Sequence, residues 1–210
     1  MNKLFFLLKI LRYKWNYLLL RNLHKTIIKG HLCTRNIYIS DKGQNNRILA
    51  GKNVILENCK FFFQGNNHVV KFGDGICVSG VTFAFEKEES CIELGKGTWI
   101  GPGCCLSAMA DTKISIGDGT LLAKDCVVRT SDSHVIMDEE NKVINTPQDI
   151  IIGNHVWLGE QVFVLKGAKI ADSSIVGARS VVTASTKSEI SSIIVGQPAK
   201  IVKRNISWKL

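Results

Sequence analysis

From Ile152 to Val181 the chain repeats every six residues, as IGNHVW, LGEQVF, VLKGAK, IADSSI and VGARSV. Every unit opens with Ile, Leu or Val, and four of the five continue with Gly or Ala. The fifth position holds Val156, Val162, Ala168, Ser174 and Ser180. A helix spaces its apolar residues by 3.6 and a half-buried strand by 2, so a strict period of six fits neither. It fits a solenoid whose coils are short strands joined at tight corners. On this reading the leading aliphatic points inward, the small fifth residue lets stacked coils approach, and the Gly or Ala eases the corner.

The register extends backwards. LGKGTW, IGPGCC and LSAMAD start at Leu94, Ile100 and Leu106, and IGDGTL, LAKDCV and VRTSDS at Ile116, Leu122 and Val128. Ile116 to Ile152 spans 36 residues, or six repeats, so the register is kept across the irregular stretch between them. FGDGIC at Phe72 and VSGVTF at Val78 fit loosely. Three hexads make a coil of 18 residues, which predicts that residues 18 apart stack on one face. Residues 37–72, with Phe61-Phe62-Phe63 and Asn/Gly pairs, read as irregular strand-rich coils. The expected organisation is a basic segment over 1–30, a solenoid domain over 31–205 with a loop at about 134–149, and a tail over 206–210.

These motifs carry a resemblance. "RTSDSHVI" (129–136), "DIIIGNHVWLGEQVFVLKGAKI" (149–170) and "VGQPAKIVKRNISW" (195–208) resemble the hexapeptide-repeat acyltransferases, over about residues 70–205. The last two look most like bacterial O-acetyltransferases of sialic acids and capsular polysaccharides. The resemblance implies an all-β solenoid, a left-handed parallel β-helix, since such crossovers are otherwise right-handed. It also implies acetyl-CoA as co-substrate, no metal, and a homotrimer whose sites are shared between subunits.

His134 is the candidate general base. It ends a run of hexads where the pattern breaks into "MDEENKVINTPQ", read as a polar, extruded loop, and functional side chains concentrate where loops leave rigid scaffolds. Moving an acetyl group from a thioester to a hydroxyl needs a base that takes the hydroxyl proton, and histidine titrates near working pH. No Ser-His-Asp or Cys-His spacing points to a covalent intermediate. Asp132 shares a strand face with His134 and is placed to orient the imidazole; a turn-forming loop-edge aspartate is the alternative. Trp157 ends its hexad, where the core needs no large side chain, and the resemblance implies a role in acetyl placement or oxyanion stabilisation; packing at a subunit interface is the alternative. Gly159, Gly177 and Ala178 would let pantetheine approach the backbone. Lys166, Lys200 and Lys203 are candidates for the nucleotide phosphates, as mobile point charges. His68 reads as a turn residue and His155 as a solvated corner residue. Gly196-Gln197-Pro198 is expected to turn the chain out of the solenoid.

The leading function is acetyl-CoA-dependent O-acetylation of a sialic acid or related unit of a bacterial surface glycan. Acetylation of a nucleotide-linked amino sugar or of an antibiotic would use the same base, and a non-catalytic scaffold would use none. A metal-dependent hydrolase would need three coil-related histidine ligands, and His134 and His155 are 21 apart. The seven cysteines form no CxxC or Cys/His metal spacing, and their odd number suits a reducing compartment.

The net charge of +9 is concentrated: residues 1–30 carry seven basic and no acidic residues, and the remainder only +2. Lys9, Arg12 and Lys14 interrupt any signal-peptide core, and no run of about 20 uncharged apolar residues could span a bilayer. The segment reads as a basic amphipathic helix with aromatics, either a peripheral anchor on anionic lipid or a helix packing on the solenoid or a neighbouring subunit. The expected location is cytoplasmic, at the inner face of the membrane if the anchor reading holds. Nucleic acid is not an expected partner, because the rest of the chain is near neutral. On the anchor reading, the full chain should sediment with anionic liposomes and a chain lacking residues 1–30 should stay in the supernatant; unchanged sedimentation would remove the anchor.

Overall fold

The computed structural model describes residues 26–209, so the basic helix expected near the N-terminus falls, up to residue 25, outside the described residues. The described chain is all-β and forms a parallel solenoid with three sides per coil. The solenoid is already under way in the strand Ile27–Arg35. That strand and Arg47–Glu57 each bend round a corner, which joins the first and second sides into one 14-stranded sheet. The third side is a separate seven-stranded sheet running from Tyr38–Asp41 to Val181–Val182. All neighbours pair in parallel except the last two strands, Ile193–Gly196 and Ala199–Lys203. The chain therefore turns back at Gly196-Gln197-Pro198 into an antiparallel strand on the end of the sheet rather than simply leaving it.

Within each hexad the six positions have distinct duties. The first and fifth residues are buried: Ile152 and Val156, Leu158 and Val162, Val164 and Ala168, Val176 and Ser180. The fourth makes the corner, with a left-handed backbone at His155, Gln161, Gly167, Ser173 and Arg179 (φ 51–75°). The second residue is small for another reason than the one expected. A Cβ on Gly153 would lie 2.2 Å from the Asp172 carboxylate, and one on Gly159 would lie 2.6 Å from the Ala178 backbone nitrogen. Close approach of the next coil, not corner flexibility, requires glycine there. The sixth residue points outward, which puts Trp99, Trp157 and Phe163 on the surface.

The coils are of two sizes, and the expectation of 18 residues holds only after the loop. Trp157 pairs with Ile175 and Ile175 with Ile193, 18 apart. Upstream the spacing is mostly 22: Arg47 pairs with Val69, Val69 with Cys91, and Cys77 with Trp99, while Ile27 pairs with Arg47 at 20 and Thr82 with Cys105 at 23. The extra residues all sit at the corner between the third and first sides. Residues 37–72, expected to be irregular, are regular coils of this wider kind. AGKNVI at Ala50 is in register with FGDGIC at Phe72, LGKGTW at Leu94 and IGDGTL at Ile116. A search for six-residue periodicity misses them because the period is reset once per coil.

A wider coil encloses more volume, and aromatic rings fill it. Phe61 stacks on Phe83 at 4.9 Å and Phe63 on Phe85 at 5.0 Å, all four fully buried. The same inward positions further along hold Leu106 and Ala108, then Val128 and Val164. The added corner residues bring polar groups inside, and these bond from coil to coil. Asn46 Oδ1 accepts from the His68 backbone N–H at 2.9 Å, and His68 Nδ1 accepts from the Ser90 backbone N–H at 3.1 Å. His68 is thus a buried rung against Phe85, not an exposed turn residue. Its Nε2 is buried and has no hydrogen-bond partner among the described residues.

Burial holds the His68 imidazole below its ordinary pKa of 6.5, with Glu88 opposing more weakly. The unfolded chain therefore takes up this proton first, so stability is full above about pH 6.5 and falls as pH drops below it. His68→Asn keeps an acceptor for Ser90 and should flatten the pH 5–7 slope of the urea midpoint. An unchanged slope would place the acid sensitivity elsewhere.

Candidate active site

The loop grows from the corner that carries the extra residues in the wider coils. The strand Val127–Arg129 ends the third side and Ile150–Ile152 resumes on the first, paired to Ile114–Ile116 across 36 residues. Ser131 Oγ accepts from the Ser133 backbone N–H at 3.0 Å, and Ser133 is left-handed at φ 68°. That reversal leaves His134 exposed at the base of the loop. Asn145 then clamps the two strands of the loop. Its Nδ2 donates to the His134 carbonyl at 2.7 Å and to Asp132 Oδ2 at 3.1 Å, and its Oδ1 accepts from the Ile136 N–H at 2.7 Å. Met137 and Val143 form an antiparallel bridge, and Asp138 caps the tip by accepting from the Glu140 and Lys142 N–H groups. The loop, expected to be polar, is a small hairpin that exposes Val135, Ile136, Met137, Val143 and Ile144.

Asp132 and Lys166 meet. The Lys166 ammonium donates to Asp132 Oδ2 and, at 3.1 Å, to the Asn145 carbonyl. This ion pair, with the Asn145 amide adding to it, holds the Asp132 carboxyl below the usual carboxylate range. The carboxylate faces Lys166 and Asn145, and the His134 ring has no hydrogen bond to another described residue. Lys166 is half-buried and occupied at the loop base. Lys200 and Lys203 are exposed on the final strand, Lys200 beside a groove of about 400 Å³ that also includes Lys187.

Trp157 lies on the second side, paired across the coils with Leu121 and Ile175. The C-terminal tail folds back beside it. The Trp208 ring stacks on His155 at 4.0 Å and 1°, donates its Nε1–H to the His155 carbonyl at 3.0 Å, and lies 6.0 Å from the Trp157 ring. His155 is therefore a packed residue under the tail, not a solvated one. His134 leaves from the corner between the third and first sides, the one corner that does not bound the second side. A single chain does not bring the imidazole and the Trp157 indole onto a common surface.

Gly159, Gly177 and Ala178 run along the corner between the second and third sides. Their neighbours continue as a polar staircase: Arg179 donates to Gln161 Oε1 at 2.8 Å, and Gln197 donates to the Arg179 carbonyl at 2.6 Å. These three side chains wall a groove of about 640 Å³ floored by Phe163, Leu165 and Val181. Gln161, Phe163, Arg179, Gln197 and Asn145 escaped the reading of the sequence. Phe163 had a legible signal, an aromatic at the outward sixth position of its hexad. Asn145 had none, because its role depends on where the loop closes.

The Asp132–Lys166 pair is partly exposed and worth at most about 1 kcal/mol. Because the Asp132 pKa is depressed, the tie persists as pH falls to the carboxylate range and is lost only as pH drops through the folded value. Lys166→Met should speed amide exchange over residues 132–145 at neutral pH while shifting Tm by only a few degrees. Unchanged exchange would mean that Asn145 alone holds the loop.

No family model matches the chain. The chain is 38% identical over 86 residues to a polysialic acid O-acetyltransferase of Escherichia coli O1:K1 / APEC, covering 40% of this chain and 27% of that protein. It is 41% identical over 59 residues to a chloramphenicol acetyltransferase of Morganella morganii, covering 28% of this chain and 27% of that protein. These matches thus span only about a quarter of the relatives' own length. The crystal structure of the polySia specific acetyltransferase NeuO superposes with a TM-score of 0.78 at 28% identity, covering 88% of this chain and 78% of that one. The resemblance to hexapeptide-repeat acetyltransferases, and among them to polysialic acid O-acetyltransferases, is borne out in sequence and in the β-solenoid itself.

Proposed function

We propose that the chain is an acetyl-CoA-dependent O-acetyltransferase acting on a sugar hydroxyl of sialic acid or polysialic acid, at sites shared between three copies. The observation that carries this reading is the placement of His134. An imidazole stands exposed at the base of an extruded loop, on a solenoid similar to that of a polysialic acid acetyltransferase. His134 takes the proton of the acceptor hydroxyl as its oxygen attacks the thioester carbonyl. The carbon–sulfur bond then breaks, and the CoA thiolate recovers the proton from the imidazolium. Such a base contributes roughly 10²–10⁴ in rate.

The separation of His134 and Trp157 on one chain supports a shared site, since two copies side by side can set the loop of one against the second side of the other. The surfaces such packing would cover are apolar: the hairpin residues 135–137 and 143–144, and the outward column Trp99, Leu121, Trp157 and Ile175. Pantetheine would follow the Gly159–Gly177–Ala178 corner, where side chains are small. Of the three candidate lysines, Lys200 and Lys203 are left for the phosphates, because Lys166 is engaged by Asp132. Antibiotic or nucleotide-linked amino-sugar acceptors would use the same base, and a panel of acceptors in a thiol-release assay separates them.

His134→Ala and Trp157→Ala chains should each lose most acceptor-dependent thiol release while eluting as trimers in light scattering. Co-expressed in equal amounts, they should recover about a quarter of wild-type activity, since each site draws on two chains chosen at random. No recovery, or a monomer at assay concentration, would overturn the shared site. Full activity of His134→Ala would overturn the catalytic reading.

A further inference from the structure

Although Asp132 lies close enough to feel its charge, Arg129 has no carboxylate in hydrogen-bond contact among the described residues. It is half-buried on the outward face of the third side, one residue before the loop departs. Its Nη2 donates to the Ser133 hydroxyl at 2.7 Å, and its Nε is buried with no hydrogen-bond partner among the described residues. Arg35 Nε is likewise buried without a hydrogen-bond partner among the described residues, but the other arginines held in place here have different partners. Arg35 pairs with Glu57 and Arg204 with Glu189, while Arg179 is exposed and bonds to Gln161. The carboxylate nearest in sequence, Asp132, is already taken by Lys166 and Asn145. A guanidinium drawn part-way out of water with its hydrogen bonds incomplete and no carboxylate paired to it is costly. Its planar fork is suited to receiving a carboxylate.

The position matters as much as the charge. Ser133, which accepts from Arg129, is the residue before His134, and its left-handed turn presents the imidazole. Arg129 and His134 are thus tied to consecutive residues of one rigid turn at the top of the third side. Leu165, one coil below Arg129 in the same outward column, lines the 640 Å³ groove.

We propose that Arg129 binds the carboxylate of the acceptor and so selects an acidic sugar and the hydroxyl turned towards His134. This rests on the sialic-acid reading above. A sugar anchored by its acid group beside the base can present only the hydroxyls at a set distance from that group. Neutral sugars, which leave the guanidinium unpaired, would be poor acceptors for the same reason.

The test compares free sialic acid with its C1 methyl ester as acceptors in acetyl-CoA thiol release, for the wild type, Arg129→Gln and Arg129→Lys. The wild type should prefer the acid by about 10- to 100-fold in kcat/KM, the range for loss of a charge-assisted hydrogen bond. Arg129→Gln should lose that preference, so that removing the charge from the protein and from the sugar are not additive. Arg129→Lys, which keeps a point charge without the fork, should retain part of it. A preference that survives in Arg129→Gln, or a wild type that accepts both sugars equally, would overturn the assignment while leaving the acetyltransferase standing. A wild type that acetylates neither of these nor polysialic acid would overturn the sialic-acid reading and the assignment with it. Should Arg129→Gln fail to fold, a full acid preference in Arg129→Lys would overturn the need for the fork.

Discussion

Each coil of this protein takes its shape from the coil before it. The ladder hydrogen bonds run between coils, so Ile55 donates to Ile76, Trp99 to Thr120, and Trp157 to Ser174 at 2.8–3.0 Å. A strand of two residues such as Trp157–Leu158 could not hold itself straight. It is held because it repeats a neighbour on either side and because Leu158 fills the same inward column as Leu122 and Val176. Under that constraint a coil can gain residues only at a corner, where the backbone leaves the ladder. The solenoid can therefore change its period and extrude a loop without losing register.

The functional architecture follows from which corner was enlarged. The upstream coils carry their surplus between the third and first sides, where Asn46, His68, Ser90 and Thr112 form a buried polar column. The loop is the largest surplus at that same corner, and after it the coils shrink to three plain hexads. The wide half is packed with phenylalanine rings and the narrow half with Val, Ile, Leu and Ala. Trp157, Phe163 and Arg179 face outward on the narrow half. Enlarging this corner also sets His134 away from the side that bears Trp157.

Charge is distributed with similar economy around the loop. Lys166, Asp132 and Asn145 satisfy one another and hold the loop base. Arg129 is left with a hydroxyl partner and no carboxylate. A residue that resembles a phosphate ligand in sequence thus has a holding role, while an arginine that the motif made unremarkable bonds to the residue before His134.

The sequence by itself determined the solenoid, the inward columns of the C-terminal coils, the existence of the loop and the candidacy of His134. These are legible because a hexad writes side-chain direction into sequence position, and because a break in so strict a period marks a departure from the scaffold. Only the tertiary structure decided the 22-residue coils, since a period reset at every third corner looks like no period at all. It also decided the burial of His68, the tail stacked on His155, the clamp by Asn145 and the pairing of Asp132 with Lys166. Each of these joins residues from different coils, or from the two ends of a loop. Their contacts depend on how many residues each corner absorbs, a quantity that no local pattern of apolar and polar residues records.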